Sequence, residues 1–201
     1  VFTFNDIDRL QESELIAELK AGRESAFRIL VETYQDKVYN IALVIVQQPE
    51  EAEDIAQEVF IEVYQTVRQF REEARLTTWL YRITTSKALA HHRKRKARKR
   101  FSILTSLFGL NNEVLHHPPD FHHPGVSLEQ KEEMKTLFKA IDQLADTQKV
   151  AFILHYIEEQ SHREIADVLE VSVSAVESLL HRAKQNLRKQ LAPYYKERRN
   201  P

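Results

Sequence analysis

"SHREIADVLEVSVSAVESLLHRAKQ", residues 161–185, holds two helix starts separated by a short break. Ser161, three residues ahead of Glu164, forms a capping box: its hydroxyl can accept from the Glu164 amide while the carboxylate reaches back to the Ser161 amide. The helix so opened turns Ile165, Ala166 and Leu169 to one side. Ser174 with Glu177 can open the next helix, and Ser172 is an equally good cap. Its Val176, Leu180, Ala183 and Leu187 share a face, and Pro193 is expected to fray its end. With Ala166, Leu169, Val171 and Val176 closing the angle, the pair has the size of a helix-turn-helix. The second helix then presents Ser172, Ser174, Ser178, His181, Arg182 and Lys184 outward. Short polar donors at a helix start can enter a major groove, and later basic residues can reach phosphates. An ordinary helical hairpin satisfies the same pattern.

Working upstream, Val150, Ile153, Leu154 and Ile157 form one apolar stripe, and Met134, Leu137, Phe138, Ile141 and Leu144 another. Ahead of them, residues 101–125, "FSILTSLFGLNNEVLHHPPDFHHPG", collect Gly109, Gly125, Pro118, Pro119 and Pro124, a concentration of helix breakers that marks a linker. The first half is helical again. In "PEEAEDIAQEVFIEVYQTVRQF", residues 49–70, Ala52, Ile55, Ala56, Val59, Phe60, Val63, Tyr64 and Val67 recur at spacings of three and four, and Pro49 suits a first helical turn. Phe27, Leu30, Val31, Tyr34, Val38, Ile41 and Ile45 draw a similar stripe, and Ser13 to Lys20 reads as a helix stopped at Gly22. No stretch alternates as a strand would. The expected fold is all-α: two small helical domains, 1–100 and 127–201, joined by a flexible linker over 101–126, the second domain a helix-turn-helix.

With 201 residues and 42% hydrophobic content, the chain can bury one good core or two small ones. It contains no cysteine, which excludes disulfides and thiolate metal sites. No apolar run approaches the roughly 20 residues of a membrane span, and "VFTFNDIDRL" lacks the regions of a secretory signal. A soluble cytoplasmic protein without membrane insertion is expected. Val1 in place of methionine suggests a trimmed or partial start. His116, His117, His122 and His123 in "HHPPDFHHP" have metal-binding chemistry with Asp120 nearby, but prolines hold that loop extended and nothing regular orients the ligands. No nucleophile with its base and no phosphate-cradling glycine loop stands out. Neither an enzyme nor a cofactor is expected.

The net charge of -1 conceals an asymmetry. Between Arg75 and Arg100 there is no acidic residue, whereas Glu50, Glu51, Glu53, Asp54, Glu58 and Glu62 crowd one upstream segment. Separated acidic and basic zones point to two different partners. In "TTWLYRITTSKALAHHRKRKARKR", residues 77–100, apolar and aromatic side chains lead into a basic run. Such a helix could pack through its start, offer Trp79 to exposed bases and hold phosphates with its end. Equally, Trp79 could be core and the basic run a solvated arm. Asp54, Gln57, Glu58 and Gln65 lie opposite the apolar stripe of their helix, as on any surface helix.

These elements, in this order, resemble the extracytoplasmic-function (ECF) group of bacterial RNA polymerase sigma factors, in the sigma-70 family, over nearly the whole chain. "EEAEDIAQEVFIEVYQ" resembles the family's polymerase-binding helix, and "FREEARLTTWLYRITTSKALAHHRKRKARK" its promoter-melting and minus-ten-reading segment. "LADTQKVAFILHYIEEQSHREIADVLEVSVSAVESLLHRAKQNLRKQL" resembles its minus-thirty-five-reading domain. The resemblance implies that Asp54, Gln57 and Glu58 face the beta-prime clamp of core polymerase, with the beta flap as a further contact. It implies that the loop from Phe70 to Thr78, with Arg71, Arg75, Thr77 and Trp79, captures an extruded minus-ten base. Arg82, Ser86, Lys87, Arg93, Arg95 and Lys96 would follow the separated strand, and the second-domain residues named above would read duplex. It also implies an anti-sigma factor. The chain departs from the family pattern at Ser86, Ala90, Glu170, Glu177 and Leu179, where an asparagine, an aspartate, a turn glycine and two basic residues are usual. The reading set against this one is a DNA-binding activator that uses the helix-turn-helix alone.

Overall fold

A computed structural model describes residues 4–107 and 128–199, with side chains placed for 11–98 and 132–196. Among the described residues every regular element is helical. The first unit comprises α1 (Phe4–Lys20), α2 (Glu24–Val46), α3 (Pro49–Thr66), a single 3₁₀ turn (Val67–Gln69) and α4 (Leu76–Leu107). The second comprises α5 (Leu128–Asp142), α6 (Asp146–Tyr156), α7 (His162–Leu169) and α8 (Val173–Arg199). The histidine-proline stretch 116–124 lies outside the described residues.

Local chemistry accounts for most boundaries. Gly22 adopts φ 75° and ends α1, as its position predicted. Pro49 opens α3 in the first turn, where its missing N–H costs nothing. Ser161 and Glu164 form the full capping box of α7. At the start of α8 the choice between serines resolves to Ser172, whose hydroxyl accepts from the Ala175 amide at 3.2 Å. The turn between α7 and α8 is made by Glu170 in a left-handed conformation, φ 55°, and the Glu170 and Val171 amides both reach the Ala166 carbonyl. A non-glycine residue there carries a backbone cost of about 1 kcal/mol.

The buried apolar residues form one cluster that runs through both units. Leu30, Val38, Ile41, Ile45, Ile55, Val59, Val63, Leu76 and Leu80 are sealed between α2, α3 and α4. Ile141, Val150, Ile153, Leu154, Ile165, Val176, Leu180 and Ala183 fill the second unit. Several stripe members lie elsewhere. Tyr64 is 61% exposed, meeting only the edge of Phe27 from outside, and Leu137, Ile157 and Val171 are also exposed. Ala166 and Val176 are buried and Leu169 packs on the core as expected, joined by Ile165, Val168 and Leu180, whereas Val171 stays outside. Pro193 does not fray α8, which runs on to Arg199. The carbonyl it deprives of a partner belongs to Lys189, and both residues face solvent, so water can replace the lost bond. At the other end of the expected linker, α4 continues as helix through Leu107.

The two units pack on each other, α4 against α7 and α2 against α6. Gln47, left-handed at the end of α2, donates its side-chain amide to the Phe138 carbonyl of α5 at 2.7 Å.

Candidate nucleic-acid and polymerase interfaces

α3 shows how one helix serves two environments. Its apolar stripe is buried, while Asp54 and Gln57 stand exposed on the opposite side. Glu58, one position round, is drawn toward α4: Lys87 lies 3.5 Å and His91 3.5 Å from its carboxylate. Lys87 also pairs with Glu62 at 2.9 Å, and Arg95 with Glu51 at 2.9 Å. The hydrogen bond to Glu62 leads the influences that raise the Lys87 pKa above the usual lysine value. Because 87, 91 and 95 are spaced by four, these groups form one ridge of α4, and that ridge is neutralised by α3.

A second ridge of α4 points to the other unit. Residues 82 and 93 are eleven apart, three full turns, and Lys96 follows one turn later. Arg82 pairs with Glu170 at 3.1 Å and donates to the Asp167 carbonyl at the end of α7. Arg93 approaches Asp146 at 3.9 Å, and Lys96 approaches Asp142 at 3.6 Å. Arg75, just before α4, lies between Glu12 of α1 at 3.6 Å and Glu164 of α7 at 3.7 Å. Ser86, Lys94 and Arg98 are exposed.

Between these ridges sits a buried cluster that sequence reasoning missed. Lys149 of α6 is 0% exposed and His92 of α4 is 1% exposed. The Lys149 ammonium bridges His92 Nε2 at 3.2 Å and Asp142 Oδ1 at 3.3 Å. Burial, then the lysine charge, pushes the His92 pKa down to about 4, so the ring is neutral and Nε2 accepts. Burial also lowers Lys149, with Asp142 partly offsetting it. Burial alone would raise Asp142, but Lys149, His92 and Lys96 outweigh it and hold the carboxyl low. Nearby, the Tyr81 hydroxyl donates to Glu158 at 3.1 Å, and burial raises both groups.

The loop from Phe70 to Thr78 is braced rather than open. Trp79 stacks on Phe70 with centroids 4.7 Å apart and planes 22° from parallel, and both pack on the core. Thr78 is buried and Thr77 partly so, while Arg71 is exposed. Glu12 accepts from the Leu76 amide, capping α4 from α1. The loop's own Glu72, Glu73 and Arg75 line a cleft between the units together with Glu12 of α1 and Arg163, Glu164 and Asp167 of α7.

In the helix-turn-helix, Ser172, Ser174, Ser178, His181, Arg182 and Lys184 are all exposed. Ser178 donates back to the Ser174 carbonyl at 3.0 Å, His181 meets Gln185 at 2.9 Å, and the Lys184 ammonium lies 5.1 Å from the Tyr156 ring centre. Glu177 lies 3.9 Å from His162 of α7. Among the described residues no group of side chains could hold a metal ion, and no helix is long and apolar enough to cross a membrane.

Comparison with known proteins agrees with this architecture. Residues 30–98 match the family described as Sigma-70 region 2, and residues 135–187 match Sigma-70, region 4. The chain is 33% identical over 178 residues to the ECF RNA polymerase sigma factor SigW of Bacillus subtilis, covering 88% of this chain and 94% of that one. It is 32% identical over 187 residues to the RNA polymerase sigma-H factor of Pseudomonas aeruginosa, with 93% and 97% covered. Among solved structures, CnrH in complex with the cytosolic domain of CnrY superposes with a TM-score of 0.67 at 20% identity, covering 90% of this chain and 97% of that one. The sigma factor RpoE bound to the anti-sigma factor NepR from Bartonella quintana gives 0.59 at 19%, with 83% and 96% covered.

Proposed function

The chain belongs to the ECF group of the sigma-70 family of RNA polymerase sigma factors, and from that premise we propose how its surfaces divide the work of transcription initiation. It is a promoter-specificity subunit: it directs core polymerase to promoters and stabilises melted DNA there. The core enzyme does the chemistry, and this chain supplies recognition. That work lies in the cytoplasm with the polymerase.

The reading assigns Asp54, Gln57 and Glu58 on α3 to the polymerase clamp. It assigns the loop 70–78 and α4 to the minus-ten element, with Arg71 and Arg75 beside the loop and Arg82, Ser86, Lys87, Arg93, Arg95 and Lys96 along the displaced strand. Extruding a base costs a few kcal/mol of stacking and pairing, which a pocket and a basic grip must offset. The α8 start, Ser172 to Lys184, enters duplex at the minus-thirty-five element, with the polymerase flap against the same domain. An anti-sigma factor is the expected inhibitor, and the complex of the similarly folded RpoE with one supports that expectation.

The observation that carries this reading is the division of labour between neighbouring helices. α3 leaves acidic and amide groups exposed while α4 concentrates cations, so polymerase and DNA can be held side by side. Run-off transcription with bacterial core polymerase on a fragmented library of the source genome tests it. Discrete start sites that appear only with this protein are expected. DNA binding without new starts would instead favour an activator acting through the helix-turn-helix alone.

A further inference from the structure

The leading end of α8 carries acceptors where a groove-reading helix needs groups to address base edges. Val176, Leu180, Ala183 and Leu187 are buried, so Ser174, Glu177, Ser178 and His181, spaced by three and four on the opposite side, face solvent together. The serines are turned onto their own helix. Ser178 donates its one proton to the Ser174 carbonyl at 3.0 Å, and the Ser172 and Ser174 hydroxyls share a hydrogen bond at 3.0 Å while Ser172 caps the Ala175 amide. His181 is engaged with Gln185 at 2.9 Å. Glu177 is the longest side chain in the opening turns and is 62% exposed. The His162 ring lies 3.9 Å from its carboxylate, beyond hydrogen-bond reach, and among the described residues no hydrogen bond engages either oxygen.

The chemistry of base edges fixes what such a carboxylate can read. Along the major groove the only donors are the amino groups of cytosine and adenine. Adenine sets its N7 acceptor beside that amino group, guanine offers O6 and N7, and thymine offers O4 and a methyl group. Cytosine alone presents a donor with no acceptor on its own edge. A carboxylate that enters the groove opposite any other base gives up water and meets a lone pair, so it rejects the wrong base more strongly than it attracts the right one. Repulsion from the phosphates is offset along the same helix, where Arg182, Arg188 and Lys189 are exposed and can hold the backbone. The small side chains of Ser174 and Ser178 beside Glu177 let the helix approach closely enough for a glutamate to span the remaining distance.

We propose that Glu177 is a specificity-determining residue that accepts from a cytosine amino group, so that the upstream element this chain selects carries a C·G pair at one fixed position. This rests on the assignment of α8 to the minus-thirty-five duplex. The serines, with their protons committed to the helix, set the approach, and Glu177 sets the base.

The test uses the full chain assembled with bacterial core polymerase, and its probe is a duplex library of random sequence. Bound duplexes are sequenced for the native chain, Glu177→Gln and Glu177→Ala, against those retained by core polymerase alone. The position is exposed and all three residues are good helix formers, so the variants fold. The native chain should favour a C·G pair in one orientation at one upstream position by about tenfold over the other pairs. Glu177→Gln, whose amide both donates and accepts, should move that position to A·T. Glu177→Ala should lose the preference there and keep it elsewhere. If the native chain and Glu177→Ala select the same bases at every position, Glu177 reads nothing, although α8 still lies in duplex. If the position that Glu177→Ala loses is an A·T pair in the native selection, the cytosine assignment is overturned. If the native chain enriches no upstream element, the assignment of α8 to duplex fails and the role of Glu177 falls with it.

Discussion

Acidification offers a quantitative test of the buried cluster. His92 has its pKa lowered from 6.5 to about 4 by burial and by the Lys149 charge. The folded chain therefore favours the neutral ring, and the unfolded chain binds the proton first. Stability from this site is present above pH 6.5 and is lost as pH falls toward 4. For that shift, the loss between pH 7 and pH 5 is about 2 kcal/mol. The charges facing the ring are Arg95 and Lys96 of α4, Asp142 of α5, and Lys149 of α6. Asp142 is held below its ordinary carboxylate value, chiefly by the Lys149 charge, so it does not account for a change between pH 7 and 5. Glu158, raised by burial, works in the opposite sense, so the useful quantity is a difference between two proteins. Urea unfolding at pH 7 and pH 5 should be compared for the native chain and His92→Gln, whose amide oxygen can accept from Lys149 but takes no proton. The variant should lose most of the acid sensitivity. An unchanged difference between the two pH values would show that His92 is not held neutral in the interface.

Other substitutions probe separate levels of structure. Ser161→Ala removes the α7 capping box and should cost about 1 kcal/mol in urea unfolding. Trp79→Ala loses the stack on Phe70 and should cost about 2 kcal/mol, less than a sealed tryptophan because the ring is only partly buried. A thermal melt should therefore accompany any loss of promoter melting. Asp54→Ala, at an exposed position, should change stability by under about 0.5 kcal/mol while weakening binding to core polymerase in a fluorescence titration. Full-strength polymerase binding by that variant would remove Asp54 from the interface.

Much of this protein was legible in the chain itself, wherever the deciding interaction spans three or four residues. The capping box of Ser161 and Glu164, the stop at Gly22, Pro49 in a first turn and the break at Glu170 are all local events and lie where expected, although α1 begins at Phe4, ahead of the expected Ser13. Apolar spacing likewise set the faces of α2 and α3, because periodicity and burial are two expressions of one geometry. It failed for Tyr64 and Val171, since a stripe only marks a direction and a neighbouring helix must arrive to cover it. Pro193 fails differently: its cost depends on whether water reaches one carbonyl. The fate of the α4 cations was beyond local reasoning. Sequence offers Arg82, Arg93 and Lys96 only to phosphates or to solvent, yet tertiary structure hands each to a carboxylate or carbonyl 46 to 88 residues away. Lys149 is the extreme case. Nothing near it in sequence predicts a buried ammonium, because the histidine that accepts from it lies 57 residues upstream, and only the packing of the two units brings them together.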